Sequence, residues 1–239
     1  MEKYMTEQVS AADLEALREI DTPTVCNVLE MVAPERRGYG YTVQHLHCIF
    51  PEMKPIVGYA KTVTMRAKQP SRFTAAEYLD VRNAYFDYLD KGDVPKVSIV
   101  QDLDERPGYG AFWGEVFSAV HKAMKCQGVV TNGSARDLDM LAPDFQVLAG
   151  VIAPSHAFVH AVDWGCEVNV HGMVVQDGDL IHADRHGAVV IPTNVVRDIL
   201  SQVDLMVRQE AVILKVARST DFTVQKLKAA WLASTKITK

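Results

Sequence analysis

The run Gly128-Val129-Val130-Thr131 is short and apolar, and Asn132-Gly133-Ser134 follows it at once, then an arginine and an aspartate side by side, Arg136-Asp137. Such a run bounded by turn residues reads as a strand. Upstream, residues Lys96–Val100 read the same way. Between the two, Val116, Ala119, Val120, Ala123 and Met124 recur at the spacing of an amphipathic helix over Glu115–Cys126. Strand, helix and strand in that order predict a β-α-β unit, right-handed if its strands are parallel, and so an α/β fold. Folds of this class place ligand sites beyond the carboxyl ends of their strands. The sequence predicts a tight glycine turn there, after Thr131, which delivers Arg136 and Asp137 side by side beyond the carboxyl end of the strand.

The rest of the chain fits around that unit. Leu14, Leu17 and Ile20 fall at helical spacing, and Asp21-Thr22-Pro23 restarts a helix with Thr22 as N-cap and Pro23 in the first helical position. Pro34, Gly38, Gly40, Pro51 and Pro55 predict turns and short strands, and Ile56–Met65 predicts a strand. Phe73–Leu89 reads as a helix with Phe73, Tyr78, Leu79, Val81, Tyr85 and Leu89 as its apolar positions, and Asp102–Tyr109 reads as a loop. After Asp137 come a helical turn at Leu138–Leu141, strands at Phe145–Ala153 and Ala157–Val162, and a strand pair, Glu167–Val175 and Asp179–Ile191, joined at Gln176-Asp177-Gly178. Asn194 is a candidate N-cap for a long amphipathic helix to about Ala217, and a last helix spans roughly Asp221–Leu232. With no repeat, low-complexity tract or linker, the simplest account is one domain over residues 1–239 with a helical extension from about 194.

Bulk properties exclude several classes. The 239 residues are 48% hydrophobic, ample for a core, and the net charge of −5 argues against nucleic acid as the main partner. The four cysteines, Cys26, Cys48, Cys126 and Cys166, form no Cys-x-x-Cys pair, which suits reduced thiols in a cytoplasmic protein better than a zinc site. Residues Met1–Glu7 contain no apolar signal core, and the apolar run Val147–Ala153 is too short to span a bilayer, so no membrane partner is expected.

The residues that carry chemistry cluster around the β-α-β unit. Gly108, Gly110 and Gly114 let the backbone turn sharply before the helix, whose first N–H groups suit a substrate carboxylate. Glu115 is either a first-turn helix acid or a base. The spacing of the three glycines departs from the dinucleotide fingerprint, and no Gly-Lys-Ser/Thr phosphate loop is present. Arg136 offers a planar fork for a carboxylate or enolate oxygen, and Asp137 is a hard ligand suited to Mg²⁺; the two also read as an ion pair that fixes a turn. His156 and His160 have the i, i+4 spacing of a helical metal pair, but the residues around them read as loop and strand. With His171, His182 and His186 they suggest a polar edge or a subunit contact. His45-Leu46-His47 puts two rings on one strand face, a structural pattern.

Several motifs taken in order resemble the RraA-like family. They are Gly58-Tyr59-Ala60-Lys61-Thr62-Val63, Trp113-Gly114-Glu115, Gly128–Asp137, Asp177–Asp184 and Gly187–Pro192, within a stretch from about Asp21 to Lys215. That family includes class II pyruvate aldolases acting on 4-hydroxy-4-methyl-2-oxoglutarate and 4-carboxy-4-hydroxy-2-oxoadipate, and regulators that inhibit ribonuclease E. The resemblance implies a swivelling β/β/α domain, here with N-terminal helices and a C-terminal helical extension, assembled as a homotrimer or homohexamer with sites at subunit interfaces. It makes Arg136 a substrate-binding arginine and Asp137 a ligand of Mg²⁺ or Mn²⁺. It makes Glu115 an acid that acts through water, and it places the pyruvate carboxylate on backbone amides around Trp113, Gly114, Glu115 and Val116. Glu210 becomes the counterpart of a glutamate that approaches the metal from a neighbouring subunit; a solvated helix-face charge is its other reading. The function implied is a divalent-metal-dependent lyase that cleaves a 4-hydroxy-2-oxo acid to pyruvate or decarboxylates oxaloacetate. The alternative is a non-catalytic regulator that binds ribonuclease E or another protein. A methyltransferase label also attached to the family lacks its glycine-rich nucleotide loop here. Two places depart from the pattern: Asn27 stands where many relatives carry aspartate, and Ser155–Trp164, with two histidines and Asp163, is unlike the aldolases.

Overall fold

The computed structural model describes residues 9–238, so the reading of Met1–Glu7 lies outside the described residues. The chain opens with α1 (Ala11–Leu17) and α2 (Thr22–Val32), each started by a side-chain cap. Ser10 and Asp13 form a reciprocal capping box on α1. Asp21, rather than Thr22, caps α2 by accepting from the Thr24 N–H at 2.8 Å. The Thr22 hydroxyl is committed elsewhere, 3.0 Å from Nδ1 of the buried His182.

The chain continues through β1 (His47–Cys48), β2 (Ile56–Arg66), α3 (Ala75–Asp90), β3 (Lys96–Asp102), β4 (Ala111–Trp113), α4 (Glu115–Ala123), β5 (Cys126–Ala135), β6 (Gln146–Ile152) and β7 (His160–Trp164). It ends with β8 (Val168–Val170), β9 (Met173–Val175), β10 (Leu180–Asp184), β11 (Gly187–Ile191), α5 (Val196–Ala217) and α6 (Val224–Ser234). A nine-stranded sheet has the order β1-β6-β5-β3-β2-β10-β11, with β4 beside β5 and β7 beside β2. The central pairs β2–β3, β3–β5 and β5–β6 are parallel, as the β-α-β pattern predicts, and the flanking pairs β1–β6, β2–β10 and β10–β11 are antiparallel.

Four further expectations are corrected. The predicted glycine turn after Thr131 does not form: β5 runs on to Ala135, and Asn132-Gly133 is an irregularity where the register with β6 shifts. The Thr131 hydroxyl accepts the Gly133 N–H at 2.9 Å and so satisfies the group that the ladder leaves out. The late strand pair is two hairpins, β8–β9 and β10–β11. His171 and Gly172, at φ 50° and 90°, close the first with the left-handed residues a tight hairpin needs. Asn194 lies in a 3-10 turn (Thr193–Val195), and α5 starts after it with no side-chain cap. On α3 the apolar face is narrower than expected. Tyr85, Tyr88 and Leu89 are buried, whereas Leu79 is exposed.

Both faces of the central sheet are covered. Val129 enters a core with Tyr85, Leu89, Trp113 and Phe145, while its neighbour Val130 enters a second with Ile99, Leu148 and the β8–β9 hairpin. This accounts for the unbroken apolar run. A third core joins α1, α2 and α5 to Val57, Leu180 and Ile191. Lys96 is buried, and its ammonium donates to the carbonyls of Leu89 at 2.7 Å and Met124 at 3.2 Å, at the ends of α3 and α4. Those carbonyls have no partner in their own helices, and a cation suits the negative end of a helix. Among the described residues no helix is long and apolar enough to cross a membrane.

Candidate active site at the start of α4

Pairing of β4 with the end of β5 brings the chemistry together. Ala111 faces Ser134 and Trp113 faces Ala135, and the Arg136 N–H donates to the Trp113 carbonyl at 2.9 Å. The Gly114–Glu115 junction therefore lies against Arg136 and Asp137. Gly114 is the N-cap residue of α4 in an extended conformation. A Cβ on it would stand 2.6 Å from Asp137 Oδ2 and 3.4 Å from Arg136 Cγ, so the absence of a side chain admits the Asp137 carboxylate. Asp137 itself is left-handed, at φ 54° and ψ 43°, a conformation that aspartate tolerates better than most residues. Its Oδ2 lies 3.4 Å from the Glu115 N–H, and its Oδ1 lies 3.5 Å from the Arg136 guanidinium.

A cleft of about 300 Å³ opens beside this corner. Gly114, Glu115, Val116 and Arg136 line it, joined by Arg82 of α3 and His156 of the following loop. Glu115, Val116 and Arg136 thus meet at one cleft. Asp137 sits behind Gly114 and is not part of the wall. The Trp113 side chain is buried, stacked on Phe145 at 5.7 Å and edge-on to His121 at 4.6 Å, so only its backbone reaches the junction. Glu210 is exposed on α5, which packs on α1, α2 and α6, and it does not line the cleft.

Several acidic and imidazole groups outside the cleft have structural partners. Asp102 accepts the N–H groups of Gly108 and Asp104, and Asp104 accepts those of Ala67 and Lys68. These bonds fix the loop before β4, in which Gly108 adopts φ 90°. His121, which sequence reasoning did not single out, lies on the buried face of α4. Its Nδ1–H donates to the Phe117 carbonyl at 2.7 Å, and Nε2 accepts from the Tyr85 hydroxyl at 2.7 Å. Burial holds its pKa down to about 4. His182 donates through Nε2 to the Leu17 and Ile20 carbonyls, and burial lowers its pKa too. His156 and His160 sit on loop and strand, as their neighbours imply.

Among the described residues no three His, Cys, Asp or Glu side chains group to hold a metal. The fit of a divalent cation rests on Asp137, whose contacts at 3.4 and 3.5 Å leave lone pairs to spare. One carboxylate completed by water suits Mg²⁺, which keeps much of its hydration shell, and does not suit a zinc cage.

The parallel-centred sheet and the glycine-admitted carboxylate at a helix start define an α/β protein with a cleft beyond its strand ends. The chain belongs to the Aldolase/RraA family: residues 22–190 match the RraA-like family. An uncharacterized protein from Pseudomonas syringae pv. tomato superposes with a TM-score of 0.69 at 19% identity, over 97% of this chain and 98% of that one. Streptomyces coelicolor RraAS2, described as an unusual member of the RNase ES inhibitor RraA protein family, gives 0.66 at 19% identity over 85% and 96%. At these identities both show the shared fold, which is the RraA-like architecture expected from the sequence. Protein DlpA of Legionella pneumophila is 22% identical over 142 residues, 58% of this chain. That match spans 23% of DlpA, about a quarter of its length.

Proposed function

We propose that this protein is a divalent-metal-dependent lyase that cleaves a 4-hydroxy-2-oxo acid to pyruvate and decarboxylates oxaloacetate. One observation carries the reading. Arg136, Glu115 and the start of α4 line one cleft, with Asp137 directly behind Gly114. The first N–H groups of a helix have no intrahelical partners and carry partial positive charge, so they receive the C1 carboxylate. Arg136 faces the C2 oxygen, where negative charge develops. Glu115 takes the proton of the C4 hydroxyl through a water. As C3–C4 breaks, C4 becomes a carbonyl and the bonding pair forms the enolate of pyruvate, which is then protonated at C3. Loss of CO₂ from oxaloacetate leaves the same enolate. Asp137 would hold Mg²⁺ or Mn²⁺, which supplies Lewis-acid polarisation of the 2-oxo group. In this reading Glu210 enters only from a neighbouring copy in a trimer or hexamer.

The test is pyruvate release from 4-hydroxy-2-oxo acids and from oxaloacetate, with Mg²⁺ and with chelator, by the native protein and Asp137→Asn. Metal-dependent turnover that falls at least about a hundredfold in the variant is expected, together with weaker Mg²⁺ binding. Absence of turnover on every 2-oxo acid, with metal binding unchanged in Asp137→Ala, defeats the reading. Retention of an RNA-degrading endonuclease by the immobilised protein would then favour the regulator.

A further inference from the structure

The reaction above uses only one side of the cleft. The rest of its wall is unlike that corner: Val116 and Phe117 of α4, Phe112, Val159 and the ring of Tyr78. Val116 is 68% exposed, an unusual place for a bare aliphatic side chain in the first turn of a helix. Phe117 is half-buried beside it, 4.7 Å edge-on from Phe112. The apolar surface is therefore continuous from the helix start into the core.

This wall is held in place. The 155–159 loop is tied by Ala111 N–H to the Ser155 carbonyl at 2.9 Å and by Phe158 N–H to the Ala67 carbonyl at 3.0 Å. It passes so close to Gly110 that a Cβ there would stand 2.5 Å from the His156 carbonyl. His156 spends its Nδ1–H on the Ala157 carbonyl at 2.8 Å. The Tyr78 hydroxyl receives the Ala161 N–H at 3.4 Å. Arg82, four residues after Tyr78 and so on the same helix face, brings a cation to this side. A guanidinium lies flat on an aromatic ring as readily as it pairs with a carboxylate. The apolar neighbours decide between the two.

We propose that this half of the cleft seats an apolar, aromatic-sized group on the departing half of the substrate, against Val116, Phe117 and Val159 with Arg82 over it. The preferred substrates are then 4-aryl-4-hydroxy-2-oxo acids, cleaved to pyruvate and an aryl aldehyde or ketone. The assignment rests on the lyase reading of the same cleft. A volume of about 300 Å³ is at the lower end for small-molecule sites and suits a compact ligand of this kind.

The experiment compares kcat/KM for 4-hydroxy-2-oxobutanoates with a phenyl, a methyl or a carboxylate group at C4, using native protein, Val159→Ser and Arg82→Gln. A parallel calorimetric titration with Mg²⁺ present compares phenylpyruvate and pyruvate as non-cleaved ligands. Expected is a phenyl-over-methyl preference of at least about tenfold, the scale on which apolar pockets discriminate. That ratio should shrink in Val159→Ser, with phenylpyruvate binding more tightly than pyruvate by a similar factor. The proposal is overturned if the carboxylate substrate is preferred and Arg82→Gln abolishes that preference, or if Val159→Ser leaves the phenyl-over-methyl ratio unchanged. If no 2-oxo acid turns over, the lyase reading fails by itself. The binding titration still decides whether the wall takes an aromatic group.

Discussion

Replacing Gly114 by alanine isolates the position of the Asp137 carboxylate from the fold. The new Cβ would stand 2.6 Å from Asp137 Oδ2, and ordinary contact begins near 3.4 Å, so the carboxylate must retreat by about 0.8 Å. The backbone has no objection, because Gly114 sits at φ −162°, an extended conformation open to any residue. Alanine also stabilises by roughly 0.4–1 kcal/mol through a less disordered unfolded chain, which offsets the strain of moving a half-exposed side chain. Thermal unfolding should therefore shift by no more than about 4 °C. Activity responds differently: a displacement near 1 Å of a group that positions reactants costs on the order of a hundredfold. Metal-dependent pyruvate release and a melting curve on the same preparation make the measurement. Native kcat/KM in Gly114→Ala would refute the idea that the carboxylate behind Gly114 matters to the reaction. A collapse of stability would refute the claim that this glycine serves the site and not the fold.

Three further outcomes follow from the packing. Lys96→Met leaves the carbonyls of Leu89 and Met124 without their ammonium partner, and chemical denaturation should show a loss of roughly 3 kcal/mol. Gly110→Ala drives a methyl into the His156 carbonyl at 2.5 Å and Ala67 Cβ at 2.8 Å; overpacking should cost about 1–3 kcal/mol and speed amide exchange in the 155–159 loop. His121, neutral in the folded protein with its pKa held down from 6.5 to about 4, makes stability full above pH 6.5 and lost as pH falls toward 4, because only the unfolded chain takes the proton in that window. The contribution is on the order of 3 kcal/mol, and urea midpoints at pH 7 and 4.5 should converge in His121→Gln relative to the native protein.

Most of the element order is legible in the sequence because period and capping agree locally. Leu14 and Leu17 mark α1, the Asp21–Pro23 start marks α2, and the apolar runs mark β2, β3 and β5. What the sequence hides is what turns and bulges share. Gly133 signals a turn by composition, yet β5 passes through it, because the Thr131 hydroxyl replaces the lost ladder bond. His171-Gly172 closes a hairpin inside what reads as one strand, since nothing but backbone handedness distinguishes the two cases. The trio Glu115, Arg136 and Asp137 is legible as chemistry, but the element that joins it is not. A three-residue strand, β4, is too short to show a period and does the joining by pairing with β5. The opposite wall was out of reach altogether. Tyr78 and Arg82 read as ordinary helix positions until α3 folds back across the cleft.

Lys96 anchors α3 at its far end, where Tyr85, Tyr88 and Leu89 are also buried. The opposite half carries Tyr78 and Arg82 toward the cleft, and its first residues, Ala75 to Glu77, lie exposed. α3 is thus a beam fixed at its root, tied near its start by the Tyr78–Ala161 bond, and exposed in its first turn beside the opening. Any displacement of its exposed first turn would change the width of the mouth without moving the reacting corner on β5 and α4. Substitutions along the exposed half of α3 would then alter ligand entry and exit without touching the reacting corner. Deuterium should enter the tip amides well before those of the root, and an occupied cleft should narrow that gap.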